Sequence, residues 1–203
     1  TAPFTIKSQG DTAGTWRAQF EYDDGAGLHA QKTFSIAAAR PYVVNVSASV
    51  TRDGQAMPVT IRWGPALGSG IVIKSRTYNP PAQPVFYRDG KVTRVAPDKV
   101  PAQPVQEGTF GFAGVDDHYF LVAVVKPAAP IRLDYAPLAV PVDVAPEGAH
   151  YISWSSRYSP PADASYFVGP KDFDVLAATD RDLVRAIDFG MFAWLVVPLL
   201  RSP

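Results

Sequence analysis

The residues able to do chemistry in this chain are few and badly spaced for it. The imidazoles are His29, His118 and His150. None has a second histidine or a carboxylate at zinc-binding spacing. Asp116 and Asp117 precede His118, but neighbours in a strand or tight turn do not converge on one ion. No metal site is expected. Gly68-Ser69-Gly70 lacks the Gly-x-Ser-x-Gly elbow of a serine nucleophile and reads as a flexible turn. Paired-carboxylate chemistry is poorly supplied, because glutamate occurs only at Glu21, Glu107 and Glu147. The aspartates Asp23-Asp24, Asp53, Asp89 and Asp116-Asp117 sit where turns are needed. Cysteine is absent, which removes thiolate chemistry and disulfides. The expectation is a protein that is not an enzyme, with no catalytic residues, no cofactor and no metal. Trp16, Trp63, Tyr78, Phe86, Tyr87 and Trp154 are better used in a core than along a sugar or peptide cleft. Asn45-Val46-Ser47 matches a glycosylation acceptor, yet it falls in a strand pattern and is discounted.

The elements that carry these residues are strands. Trp16, Ala18, Phe20 and Tyr22 alternate with Thr15, Arg17, Gln19 and Glu21, the period of a half-buried strand. After a turn at Asp23-Asp24-Gly25, Leu28, Ala30, Phe34 and Ile36 continue in phase, interrupted by Lys32. Tyr42, Val44, Val46, Ala48 and Val50 follow, and Arg52-Asp53-Gly54 turns the chain toward Val59, Ile61 and Trp63. Asp89-Gly90 between Val85–Arg88 and Lys91–Val95 predicts a hairpin with a type I′ turn. Further strands are expected over Thr109–Phe112, Tyr119–Val125, Ile131–Tyr135, His150–Trp154 and Tyr166–Val168. The 20 prolines gather at 79–84, 97–104 and 127–146, marking loops or edge strands.

Helical spacing begins only at Lys171, with Pro170 expected in a first helical turn and Phe173, Leu176, Leu183, Val184 and Ile187 making the apolar contacts. Hairpins without alternating helices favour an all-β sandwich over a parallel α/β fold. Residues 1–170 are therefore expected to form the sandwich and residues 171–203 a helical C-terminal segment. With 203 residues, 47% of them hydrophobic, the chain is long enough for a real core. Nineteen basic and nineteen acidic residues cancel, so no basic footprint points to nucleic acid. The opening at Thr1, without a charged or apolar leader, is read as the start of a piece of something longer.

The final stretch is of another kind. Phe189, Met191, Phe192, Trp194, Leu195, Val196, Val197, Leu199 and Leu200 crowd into twelve positions. As a helix this run reaches only about 18 Å, against ~30 Å for a bilayer's hydrocarbon core, so it cannot span. It is expected to lie in a membrane interface, flanked by Arg185 and Arg201, with Phe189, Met191, Phe192, Trp194, Leu195, Leu199 and Leu200 facing lipid. Pro198 bends or stops it, since its missing N–H leaves the Trp194 carbonyl unpaired.

Four segments carry a family resemblance. Trp63-Gly64-Pro65-Ala66-Leu67-Gly68, Gly114-Val115-Asp116-Asp117-His118-Tyr119-Phe120-Leu121, Tyr166-Phe167-Val168-Gly169-Pro170-Lys171, and Ile187-Asp188-Phe189-Gly190 with Pro198-Leu199-Leu200 resemble, in order and spacing, the large periplasmic domain of YidC-type membrane protein insertases. The resemblance implies a β-supersandwich, mutarotase-like in shape, held in the periplasm at the inner membrane of a Gram-negative bacterium. It implies assistance to the insertion and folding of inner-membrane proteins, alone or with the Sec translocon. The implied partners are the lipid interface, SecYEG, SecDF and nascent membrane proteins. The last two segments imply a strand end leading through a helix into an interfacial amphipathic helix. A carbohydrate-binding or mutarotase-like domain is the alternative. It requires a histidine to meet a carboxylate inside an aromatic cleft.

Overall fold

A computed structural model describes residues 3–67, 81–138 and 151–188. The first part of the chain is a meander of β1 (Thr5–Thr12), β2 (Thr15–Asp23), β3 (Leu28–Ala37), β4 (Val43–Arg52) and the short β5 (Gln55–Met57). It continues through β6 (Val59–Leu67), β7 (Gln83–Arg88), β8 (Lys91–Arg94), β9 (Val105–Gly108), β10 (Phe112–Asp116) and β11 (Phe120–Val125). The last strands are β12 (Ile131–Leu138), β13 (Tyr151–Tyr158) and β14 (Ala162–Pro170), before helix α1 (Phe173–Thr179) and a 3₁₀ turn over Leu183–Ala186. All strand pairs are antiparallel, and they form two sheets ordered β1-β2-β3-β4-β14-β11-β10-β7-β8, with β5 on β4, and β6-β13-β12-β9. The protein is an all-β sandwich with a short helical end.

Alternation explains the layers. Val46, Ala162 and Tyr166 of the large sheet face Val59, Leu133, Tyr135, Ile152 and Trp154 of the small one, closing the main core. The centre of the large sheet is buried on its outer face too, where Val85, Phe112, Leu121, Ala123 and Phe167 meet Leu176, Leu183 and Ala186. This double burial is why β10 and β11 read as continuous apolar runs, whereas the alternating β2 is covered on one side at most. In the main core Tyr166 shares its hydroxyl with Ser156 Oγ and Tyr158 Oη, each at 2.7 Å, and burial pushes both tyrosines' pKa up.

The Asp89-Gly90 hairpin forms as expected, with φ of 52° and 79° at its two central residues, the paired left-handed geometry of a type I′ turn. Lys32 keeps its apolar phase without a burial cost, because its ammonium lies 3.9 Å from the centre of the Phe4 ring and 5.4 Å from that of Phe20. Other expectations are corrected. The strand expected over Thr109–Phe112 is instead the link between β9 and β10, which belong to different sheets, and of that span only Phe112 lies in a strand. The proline-rich 97–104 region contains a 3₁₀ turn at Pro97–Ala102 that seals Val100 in the core. Pro170 closes β14 instead of opening a helix. The N-cap of α1 is Asp172, whose Oδ1 accepts from the amides of Asp174 and Val175 at 3.0 and 3.1 Å. Asp172→Ala should lower stability by about 1 kcal/mol, read from a chemical denaturation midpoint, and no change would mean that water replaces the cap.

Candidate functional site

Asp116 ends β10 with a fully buried carboxylate. Its Oδ2 accepts from Arg94 Nη2 at 2.9 Å, Arg94 Nε at 3.1 Å and Lys171 Nζ at 3.1 Å. The Lys171 side chain is only 9% exposed and that of Arg94 20%, so the cluster sits largely out of water. Arg94 Nη2 also donates to the carbonyl of Ala186 at 2.6 Å. One carboxylate therefore joins the end of β8, the end of β14 and the 3₁₀ turn after α1. Charge-assisted bonds of this kind are short and directional. They fix where the chain stands as it reaches Asp188.

The local folding that builds this node is legible strand by strand. Antiparallel pairing sets Asp116 opposite Gln83 and Leu121, and sets Phe120 opposite Pro170. The ends of β8, β10 and β14 therefore come to one rim with the start of β11. The β10–β11 turn is held by Asp117, whose Oδ1 accepts from the amides of Tyr119 and Phe120 at 2.8 and 2.7 Å. The Lys171 amide donates to the Tyr119 carbonyl at 2.7 Å, tying turn to strand end. Beside them lies a hollow of about 540 Å³ whose walls include Tyr42, Val115, Asp116, Phe120, Leu121 and Val168. It is apolar apart from Asp116 and Asp117, and the second Asp116 oxygen has no hydrogen-bond partner among the described residues.

α1 and the 3₁₀ turn lie across the outer face. Their far end is pinned by Lys126, whose Nζ reaches Asp180 Oδ2 at 2.8 Å and Asp182 Oδ2 at 3.4 Å. Asp180 first, and then Asp182, hold that ammonium's pKa above its ordinary value. The near end is pinned by the Arg94 bond to Ala186. The helical piece is thus clamped at both ends, and the chain is returned to the rim of the Asp116 node.

Three of the segments singled out in sequence touch one another in the fold. Trp63 of the first lies against Tyr166 of the third, with ring centroids 4.8 Å apart. Asp116 of the second bonds Lys171 of the third. Treating Asp116 and Asp117 alike as turn formers holds for Asp117 and is corrected for Asp116. The available signal was a charge closing an apolar run, but its partners stand 22 and 55 residues away. The seven residues expected to face lipid, Phe189, Met191, Phe192, Trp194, Leu195, Leu199 and Leu200, lie outside the described residues, as do Tyr78 and His150. Phe86 and Trp154 are buried, while Trp16 is exposed. His29 Nδ1 stands 3.6 Å from Asp23 Oδ2 on an open hairpin, both side chains well exposed, not in a cleft. His118 stacks edge-on against Tyr119. Among the described residues no group of three acidic, histidine or cysteine side chains gathers around a common point.

Comparison with known proteins places this geometry. The sequence model of the YidC periplasmic domain matches residues 2–201. The protein named membrane protein insertase YidC from Magnetococcus marinus is 25% identical over 198 residues, covering 93% of this chain and 35% of the relative. The protein of the same name from Geobacter sulfurreducens is 29% identical over 194 residues, 90% of this chain and 34% of its own. A third, from Anaeromyxobacter sp., is 37% identical over 109 residues, 48% of this chain and 16% of its own. The chain spans about a third of the length of the first two relatives.

Proposed function

The chain belongs to the YidC periplasmic domain family, and from that premise we propose that it is a non-catalytic interaction module of a membrane protein insertase at the inner membrane of a Gram-negative bacterium. In this reading the sandwich, residues 1–170, offers surfaces to nascent inner-membrane proteins and to the Sec translocon components SecYEG and SecDF. It serves there as a chaperone-like platform for insertion and folding. Residues 171–203 couple it to the bilayer through an interfacial helix that presents Phe189, Met191, Phe192, Trp194, Leu195, Leu199 and Leu200 to lipid. The observation that carries the reading is the family match across residues 2–201. The Asp116 node supports it, because it holds the chain at Ala186, three residues before that apolar run begins.

The experiment is a vesicle flotation assay on the full chain. Replacing Trp194 and Leu195 with Asp should abolish association with vesicles of phosphatidylethanolamine and phosphatidylglycerol, because charges in the apolar face oppose interfacial burial. The β-type circular dichroism should stay unchanged. Equal flotation of the two versions would remove the terminal segment from the mechanism.

A further inference from the structure

We propose that the rim of the sandwich at which the chain reaches Asp188 is itself a lipid-contacting surface, with the β10–β11 turn as its leading edge. This deepens the reading above and rests on it, since the terminal segment supplies the first contact with the bilayer.

Seven large hydrophobic side chains are exposed among the described residues, and the aromatic ones are Trp16, Tyr42, Tyr119 and Phe120, at 43%, 38%, 48% and 53%. The strand register brings Tyr42, Tyr119 and Phe120 to one end of the large sheet. Trp16 stands apart, because its neighbour Arg17 is level, through Ser35, Asn45 and Ser165, with Val125 at the other end of β11. The Tyr42 carbonyl accepts from Val168 at the close of β14. Phe120 pairs with Pro170, and the Tyr119 carbonyl accepts from Lys171. The Ala186 carbonyl is bonded to Arg94 at that same end, so the chain departs from among these rings. The aliphatic exposed residues Ile6 and Met57 lie toward the opposite end, level with Ala48 and Val50.

Tryptophan and tyrosine favour the boundary between headgroups and acyl chains, where an apolar body and a polar tip are both accommodated. A loop that only needed solubility would not carry Tyr119 and Phe120 half-exposed and side by side. The turn is stiff as well: Asp117 accepts from both of their amides, so little conformational freedom is lost when the rings enter an interface. The occupant is a lipid surface, because an apolar run starts at Phe189, directly after the described chain stops at this rim. An interfacial helix beginning there brings the rim to headgroup depth.

The test uses the full chain with Trp16→Phe, Trp194→Phe and Tyr119→Trp, which puts an indole on the β10–β11 turn. Brominated phosphatidylcholine in the vesicles should quench emission from position 119, and the same background with Tyr119 kept should lack that quenching, since Trp154 is buried. Tyr119→Ser with Phe120→Ser should weaken vesicle partitioning roughly tenfold, the scale set by withdrawing one aromatic side chain from an apolar phase. Unquenched emission from position 119, together with unchanged partitioning of the serine variant, would overturn the inference while leaving the terminal segment as the membrane contact. Failure of the unaltered chain to bind vesicles at all would overturn both.

Discussion

Asp116→Ala lowers the free energy of unfolding by about 3 kcal/mol, the lower end of the cost of breaking a buried ion pair. The lower end applies because Arg94 keeps a fifth of its side chain in water and retains its bond to Ala186. Lys171 has neither relief, being only 9% exposed. Most of the loss is therefore an ammonium left without its counter-charge. A second substitution separates that cause from simple loss of packing. Lys171→Met in the Asp116→Ala background removes the stranded charge and should recover part of the loss, whereas a packing defect at Asp116 would be indifferent to it. Urea titration of the single and double variants measures both. Hydrogen exchange adds a spatial readout: amides in α1 and in the 183–187 turn should lose protection in Asp116→Ala, while those pairing β2 with β3 keep theirs. A single-variant loss under about 1 kcal/mol would show that the cluster is an ordinary surface network.

Gly114→Ala should be at least as damaging, costing about 3 kcal/mol and sharply reducing the yield of folded protein. A Cβ built at Gly114 falls 2.0 Å from the Val122 carbonyl oxygen and 2.6 Å from Ala123 Cα. Both atoms are backbone of the adjoining strand β11, so no side chain can swing aside. β10 lies between β7 and β11 in the middle of the large sheet, with Ala113 and Val115 packed on one side and Phe112 on the other. Opening the β10–β11 pair there disturbs both cores at once. Gly10→Ala is the matched control. It sits in the exposed edge strand β1, with nothing within 4 Å of the added carbon. It should change stability by less than about 0.5 kcal/mol. Equal behaviour of the two alanine variants would mean that the sheet yields at Gly114 and that the close approach is not a constraint.

These two positions bear on function through placement. Asp116 and Gly114 share one five-residue strand, and that strand carries the turn whose aromatic residues stand at the rim. A weakened node would leave the sandwich folded and still change the direction in which the chain leaves it. The stability and flotation measurements therefore report separate properties, and a variant can lose one without the other.

Much of the architecture was readable from residue order alone. Alternation at Trp16–Tyr22 and Leu28–Ile36 identified β2 and β3, and Asp89-Gly90 placed a hairpin, because strand period and left-handed turn geometry are local properties of the chain. Local rules also identified the helical end, where Leu176 and Leu183 are buried as expected. The polar edge strand β1 escaped notice because all eight of its residues are exposed, which leaves no apolar phase to detect. β9 and the crossing to β10 escaped because the apolar signal at Phe110 and Phe112 reads as one strand, and only packing decides that Phe110 belongs to the link.

The candidate site divides along the same line. Sequence by itself determined the strands, the turn chemistry of Asp117, the apolar terminal run and the family resemblance. Tertiary structure alone decided that Asp116 is the buried partner of Arg94 and Lys171, and that Tyr42, Tyr119 and Phe120 share one rim. Periodicity reports which face a side chain takes, whereas the value of a charge or an exposed ring depends on what the folded chain sets opposite it.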